Sequence, residues 1–124
     1  MRLIQTDKAP AAVGPYSQGA QFGGQLLFTS GQLPVNMETG ELETDVQKAT
    51  KACLENVLAI VKEAGGELTS IAKVLVFVTD MNDFPKVNET YEEFFKEHKP
   101  ARSCVEVAAL PKGAVVEIEA IANV

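Results

Sequence analysis

The order of apolar and polar positions along the chain predicts an alternation of short strands and helices. The segment AQFGGQLLFTSG has two apolar runs around Gly23-Gly24. This pattern favours a β-hairpin, because glycine readily adopts the positive φ that tight hairpin turns require. The segment LPVNMETGELE follows and carries Pro34, Asn36 and Gly40, which are typical turn residues. We therefore expect a loop after the hairpin.

The first helix is predicted from apolar residues that recur every three or four positions. They are Val46, Ala49, Cys53, Val57, Ile60 and Ala64. Thr44 and Gln47 have the spacing of a capping box, which predicts the start of the helix. Gly65-Gly66 predict its end, because a glycine with positive φ commonly terminates helices.

A strand and a second helix are predicted next. Residues 71–79, IAKVLVFVT, are nearly all apolar and rich in β-branched side chains, which is typical of a strand covered on both faces. The helix should begin near Asp83, with Pro85 in its first turn. It must end before Pro100, because the residue before a proline disfavours helical geometry.

The C-terminal quarter predicts two strands, residues 101–110 and 115–124, joined by the turn PKGA. The order of elements indicates an α+β fold in which residues 1–124 form one domain, with two helices on one face of a mixed sheet. In each terminal strand, every second residue forms a set that mixes charged and apolar side chains. We expect this set to lie on the uncovered face, where it would mark a subunit interface. Its members are Arg102, Cys104, Glu106 and Ala108, and Val115, Glu117, Glu119 and Ile121.

Composition narrows the classes of function. The net charge of −6 disfavours nucleic-acid binding, which usually needs a basic face. The two cysteines have no CxxC spacing, and His98 is the single histidine, so a zinc site is not expected. No signal peptide or membrane-spanning run is recognisable. We interpret the chain as a soluble cytoplasmic protein with reduced thiols.

Arg102 and Cys104 are the first candidates for chemistry. Arg102 is one of two arginines. It is either a solvated residue at a strand end or an anion clamp, whose planar guanidinium would bind one carboxylate through two hydrogen bonds. Cys104 is either a small buried hydrophobe or a nucleophile that would need His98 nearby. Cys53 lies on the apolar stripe of the first helix and is interpreted as core. His98 falls near a helix C-terminus and is interpreted as structural.

Two carboxylates and one loop complete the candidate residues. Glu117 and Glu119 lie inside a strand, and they are either surface residues or include a group that orients or deprotonates a water molecule. Tyr16 stands in VGPYSQG, a loop constrained by glycines and Pro15. Ser30 and Gly31 end a predicted strand, where glycine would let a ligand approach the backbone closely.

Four segments of the chain resemble one known family. They are APAAVGPYSQG, LLFTSGQLPVN, VFVTDMNDFPKVNETYEEFF and PARSCVEVAALPKGAVVEIEAIA. In this order and spacing they resemble the reactive intermediate deaminase family, also called the RidA or YjgF family. The resemblance covers essentially the whole chain, and its most specific part is the C-terminal segment.

The resemblance implies a fold, an assembly and an activity. The fold would be α+β and chorismate-mutase-like, in a homotrimer whose sheets pack around a central β-barrel. Three sites would lie in the clefts between subunits. The activity would be cofactor-independent hydrolysis of 2-imino or enamine acids, such as 2-iminopropanoate and 2-iminobutanoate, to 2-keto acids and ammonia.

The resemblance also implies roles for individual residues. Arg102 would bind the substrate carboxylate, Cys104 would contact the substrate through its main chain, and Glu117 would hold the hydrolytic water. The rest of the pocket would consist of Tyr16, Ser30, Gly31 and Asn88. One departure concerns EHKPARS, which is about three residues shorter than the matching loop in some deaminases of this group.

The sequence also fits other site geometries and other functions. A tight hairpin at Lys112-Gly113 would place Glu119 rather than Glu117 nearest Cys104, unless a bulge shifts the register or the site includes another strand or subunit. A chorismate mutase would need several cations for its two substrate carboxylates. A ribonuclease or translation inhibitor of the same family usually needs a histidine pair and a cationic surface. A non-catalytic trimer that binds small molecules or proteins is the remaining alternative.

Overall fold

The computed structural model describes residues 1–23 and 25–124. Its strands are β1 Arg2–Ile4, β2 Gly19–Phe22, β3 Leu26–Thr29, β4 Ile71–Val78, β5 Ala101–Glu106 and β6 Val116–Asn123. Its helices are α1 Val46–Glu63 and α2 Phe84–Phe95. β2 and β3 pair antiparallel, and Gly23 has a φ of +63°. The predicted hairpin is therefore confirmed, although its second glycine, Gly24, lies outside the described residues.

The described strands form one sheet in the order β1-β2-β3-β6-β4-β5. β4 and β5 are parallel, and the other neighbouring strands are antiparallel. The predicted hairpin between the last two strands is wrong, because β6 inserts between β3 and β4 while β5 pairs with the other edge of β4. The connection passes the end of β4, where the Val107 amide donates to Val78 O at 2.8 Å. The turn residues of PKGA predict a change of chain direction, but they carry no information about which strands pair with the two edges of β4.

The start of α1 also differs from the prediction. Asp45 is the N-cap, and its carboxylate accepts a hydrogen bond from the Lys48 amide at 3.0 Å. The capping box predicted for Thr44 and Gln47 is therefore wrong by one residue. The end of α1 is confirmed: Gly65 has a φ of +96°, and the Gly66 amide donates to Val61 O at 2.9 Å.

Both helices pack on one face of the sheet, as predicted. Alternate residues of the two central strands are buried beneath them, and these are Val74, Val76 and Val78 of β4 and Val116, Ile118, Ala120 and Ala122 of β6. Cys53 of α1 is 0% exposed, and its thiol lies 3.7 Å from Val116 O, which confirms that it is a core residue. Within the described residues, no helix is long and apolar enough to cross a membrane.

The opposite face of the sheet is uncovered in the single chain, and we call it the open face. It carries Glu117, Glu119 and the apolar residues Leu3, Phe22, Leu26, Phe28, Leu75, Phe77, Val105 and Ile121. Phe22 and Phe28 stack on it with ring centroids 5.4 Å apart. The expectation that β4 is covered on both faces is therefore wrong for one chain, whose helices cover a single face.

Candidate active site

Arg102 projects toward the helices rather than onto the open face. In the parallel pairing of β5 with β4, Arg102 lies opposite Val74, whose side chain is 1% exposed beneath the helices. The expectation that Arg102, Cys104 and Glu106 share a face with Glu117 is therefore wrong. That expectation assumed a hairpin between β5 and β6, and the intervening β4 fixes the register differently.

Three side chains of α2 contact the Arg102 guanidinium. Its Nη1 donates a hydrogen bond to Asn88 Oδ1 at 2.7 Å. Its Cζ lies 4.8 Å from the centroid of the Tyr91 ring and 5.3 Å from that of Phe84. Phe84, Asn88 and Tyr91 have the i, i+4, i+7 spacing of one helix face. The sequence contained this pattern, but its assignment to Arg102 required knowledge of how α2 packs on β5.

Cys104 lies on the same side of β5 as Arg102, opposite the buried Val76. It is a free, partly buried cysteine packed against the core. Burial raises the pKa of the Cys104 thiol, and the nearby Arg102 charge only partly opposes this rise. The thiol is therefore mostly protonated at neutral pH, which makes it a weak nucleophile. His98 Nε2 is 2.7 Å from Ile71 O, which confirms that this histidine has a structural contact.

Glu117 lies on the open face, opposite Phe77 of β4. Its carboxylate packs against the backbone of Gly31: a Cβ built on Gly31 would lie 2.7 Å from Glu117 Oε2. Burial is the main cause that raises the pKa of Glu117, and the negative charge of Glu119 raises it further. This carboxylate is therefore better suited to proton transfer than an ordinary surface glutamate.

The loop that carries Tyr16 is fastened beside Gly31. The Ser30 hydroxyl donates to Ser17 O, and the Ser30 amide donates to Gln18 O at 2.8 Å. Gln18 is 3% exposed, and its side-chain amide bonds to the backbone of Thr6, Ala9 and Pro10. Tyr16 remains 47% exposed. Sequence reasoning missed Gln18, since no local pattern distinguishes a buried glutamine from a surface one.

The candidate residues thus form two groups in one chain. The Arg102 cluster consists of Asn88, Arg102 and Cys104 on the helix side of the sheet. The Glu117 cluster consists of Glu117 on the open face and Gly31, against which it packs, together with Ser30, which ties the loop of Tyr16 to the same segment. The hairpin argument for Glu119 fails, since β5 and β6 do not pair, and Glu119 lies opposite Leu75. Among the described residues, no group of three or more His, Cys, Asp or Glu side chains could hold a metal ion.

Residues 6–124 match the family model described as Endoribonuclease L-PSP. The 2-iminobutanoate/2-iminopropanoate deaminase of Escherichia coli K12 is 55% identical over 124 residues, which cover 98% of this chain and 96% of that protein.

Two solved structures from E. coli share the fold. TdcF with bound serine has a TM-score of 0.95 and 51% identity, covering 100% of this chain and 99% of that one. The yjgF gene product has a TM-score of 0.95 and 53% identity, covering 99% and 98% respectively. Both alignments span the residues of the Arg102 cluster and of the Glu117 cluster.

Proposed function

This chain belongs to the Endoribonuclease L-PSP family, which includes the reactive intermediate deaminases predicted from its sequence, and we propose that it hydrolyses 2-imino acids to 2-keto acids and ammonia. The substrates would be 2-iminopropanoate and 2-iminobutanoate or their enamine tautomers. The observation that carries this proposal is the arrangement of Arg102, a half-buried guanidinium fixed by Asn88 and two aromatic rings.

Arg102 would bind the carboxylate that all 2-imino acids share. A guanidinium presents a planar fork of N–H donors that fits a carboxylate, and Asn88 Oδ1 occupies a donor on Nη1 only. This contact would orient the imine carbon without restricting the rest of the substrate. Cys104 would border the substrate through shape and main chain, since its protonated thiol is a weak nucleophile. TdcF was crystallised with serine, which also carries an α-carboxylate next to nitrogen-bearing carbon.

Glu117 would act on the water. The imine reacts with its nitrogen protonated, as C=NH2+. As the water oxygen bonds to the imine carbon, the Glu117 carboxylate takes one proton of the water, and the π electrons move to nitrogen, which becomes a neutral amine. The resulting carbinolamine receives that proton on its nitrogen from Glu117. The C–N bond then breaks, ammonia leaves with the bonding pair, and loss of the hydroxyl proton gives the ketone. A carboxyl group with a raised pKa can serve as both base and acid in these two steps. Tyr16, Ser30 and Gly31 would shape the pocket around it.

A single subunit cannot bring Arg102 and Glu117 to one substrate, because they lie on opposite faces of its sheet. We therefore propose that each site forms between two subunits of a homotrimer, the assembly that the family resemblance implies. The open face supports self-association, since exposed apolar residues such as Phe28 and Val105 would otherwise meet water.

The two free cysteines suit the reducing cytoplasm, where we place the reaction.

Ribonuclease activity is the second candidate, because the matching family model is described as an endoribonuclease. The side chains favour it less. Acid–base cleavage of RNA usually employs a pair of histidines, whereas this chain has His98 alone, with its Nε2 at Ile71 O. The net charge of −6 also opposes binding to phosphates.

The test of the deaminase is ammonia release by the purified protein from imines generated in situ, with RNA cleavage measured in parallel. We expect deaminase turnover that falls about 10²–10⁴-fold in Arg102→Ala, because two charge-assisted hydrogen bonds are lost. Arg102→Lys should leave a small remnant, since lysine keeps the charge but lacks the planar fork. Full turnover in a folded Arg102→Ala protein would contradict the proposed site, and RNA cleavage without ammonia release would favour the second candidate.

A further inference from the structure

We propose that the Phe84 and Tyr91 rings are positioning residues, which hold the Arg102 guanidinium in the orientation that receives a carboxylate. This inference rests on the proposed function for its kinetic consequence, although its structural part can be measured without a substrate. The two rings are not among the residues that the family resemblance assigns to the site.

The contacts arrange three supports along one face of α2. Phe84 lies four residues before Asn88, and Tyr91 lies three residues after it. Asn88 Oδ1 accepts from Arg102 Nη1 at 2.7 Å, which fixes one end of the guanidinium. The Cζ atom lies over the Tyr91 ring at 4.8 Å and over the Phe84 ring at 5.3 Å. One hydrogen bond alone leaves rotation about its axis, and the rings restrict that rotation.

Glu106 fastens the same helix to the same strand. Its carboxylate accepts from the Met81 amide at 2.7 Å, in the helical turn Met81–Asp83 that leads directly into α2. Arg102 and Glu106 therefore hold the first half of α2 against β5 at two points. The rings are then fixed by the packing of a helix rather than by a loop, as precise orientation of a binding group requires.

The ring of Tyr91 and its hydroxyl can be tested separately by substitution. The hydroxyl oxygen is buried and makes no hydrogen bond within the part of the chain that the structure describes. Burial raises the pKa of Tyr91 to about 12, with the nearby Arg102 charge opposing the rise, so the phenol stays neutral. Replacement of Tyr91 by phenylalanine therefore removes no contact to Arg102 and keeps the ring. Replacement by leucine keeps an apolar side chain but removes the ring.

The experiment observes the guanidinium directly by NMR. The chain has two arginines, Arg2 and Arg102, so its arginine Nε–H spectrum is simple, and Arg2→Lys assigns it. We expect a rigid Nε–H for Arg102 in the unsubstituted protein and in Tyr91→Phe. Tyr91→Leu and Phe84→Leu should make it measurably more mobile. Because Tyr91 also packs on Phe95 with centroids 4.6 Å apart, Phe84→Leu serves if Tyr91→Leu does not fold.

The kinetic readout compares how much each substitution changes KM with how much it changes kcat. Loss of carboxylate orientation should raise KM and lower kcat/KM by about 5- to 30-fold in Tyr91→Leu, with Tyr91→Phe at the wild-type value. An Arg102 signal that stays rigid in both leucine variants would overturn the inference, and so would Tyr91→Phe behaving as Tyr91→Leu does. If the leucine variants mobilise Arg102 but the wild-type protein releases no ammonia, the positioning stands and the proposed reaction fails.

Discussion

Arg102 and Glu117 project from opposite faces of the same sheet. Arg102 is aligned with the buried Val74, and Glu117 is aligned with Phe77 on the open face. Val74 and Phe77 are three residues apart on β4, so the registers of β5 and β6 on this strand place Arg102 and Glu117 on opposite faces. A substrate that needs both side chains must therefore lie between two copies of the chain. This relationship makes assembly and catalysis separately testable.

The first prediction concerns assembly. Light scattering should give roughly three times the chain mass of 13.3 kDa. Ile121→Glu places a carboxylate among the apolar residues of the open face. Lys73 lies opposite position 121, but the cost of burying the charged group between subunits should still dissociate the trimer and abolish activity. The helical circular dichroism of the variant should remain. A wild-type monomer at micromolar concentration, or an Ile121→Glu trimer with full activity, would contradict the role of the open face.

The second prediction concerns the pH dependence that Glu117 creates. Its folded pKa is raised by burial and then by Glu119. Stability from such a group is present below the unfolded glutamate pKa of about 4.3 and is lost as pH rises through the folded pKa. Glu117→Gln should therefore raise the thermal unfolding temperature at neutral pH, and the difference from wild type should vanish in acid. The same variant should lose deaminase activity.

Glu119→Gln is the matched control for this electrostatic effect. It removes the charge of Glu119, the smaller of the two causes that raise the pKa of Glu117, and leaves the Glu117 carboxylate buried in place. The acid limb of the pH–rate profile should move to lower pH, with activity retained. An acid limb at the wild-type position would show that Glu117 does not determine that limb.

The third prediction uses the contact between Gly31 and Glu117. A methyl group at Gly31 would lie 2.7 Å from Oε2 and 2.8 Å from the carboxyl carbon, so Gly31→Ala must displace the Glu117 side chain. We expect a loss of at least about tenfold in kcat, because small displacements of a catalytic group reduce rates strongly. Displacing the carboxylate should also lower the free energy of unfolding. When Glu117→Ala has already removed that carboxylate, Gly31→Ala should leave the free energy of unfolding unchanged, as measured by urea denaturation. A fully active Gly31→Ala protein would show that the carboxylate need not occupy this position.

The sequence predicted much of the fold because its strongest signals are local. The stripe Val46, Cys53, Val57 and Ile60 predicted α1, and the glycine pair after it predicted where that helix ends. The partner of each strand depends on distant residues, so PKGA suggested a hairpin that the sheet does not contain. Pairing β5 with β6 placed Arg102 on the same face as the carboxylates of β6. Its actual pairing with β4 has a different register, which places Arg102 on the helix side.

The candidate site was predicted unevenly for the same reason. Arg102, Cys104 and Glu117 stand in one short region of sequence, where their residue types made them candidates and the family resemblance implied their roles. The contact of Phe84 and Tyr91 with Arg102 was not predicted, because it depends on the packing of α2 against β5. Gln18 had no recognisable signal, as its bonds reach backbone up to 12 residues away.

The fourth prediction tests the shared site by complementation. Arg102→Ala and Glu117→Gln should each be inactive alone. When the two chains are refolded together in equal amounts, a complete site needs Arg102 from one variant and Glu117 from the other. Random assembly of a cyclic trimer then restores about a quarter of the sites. The measurement is ammonia release by the mixed trimers, relative to wild type at the same chain concentration.

The control for complementation is a chain that carries both substitutions. Refolded with Arg102→Ala, the double variant supplies no Arg102 and should restore nothing, although the trimers that form contain the same surfaces. Mixing the folded single variants without unfolding should also restore little, because subunits must exchange first. If co-refolded single variants form mixed trimers and remain inactive, Arg102 and Glu117 do not serve one substrate from two subunits, and the inter-subunit site is wrong even where the trimer is right.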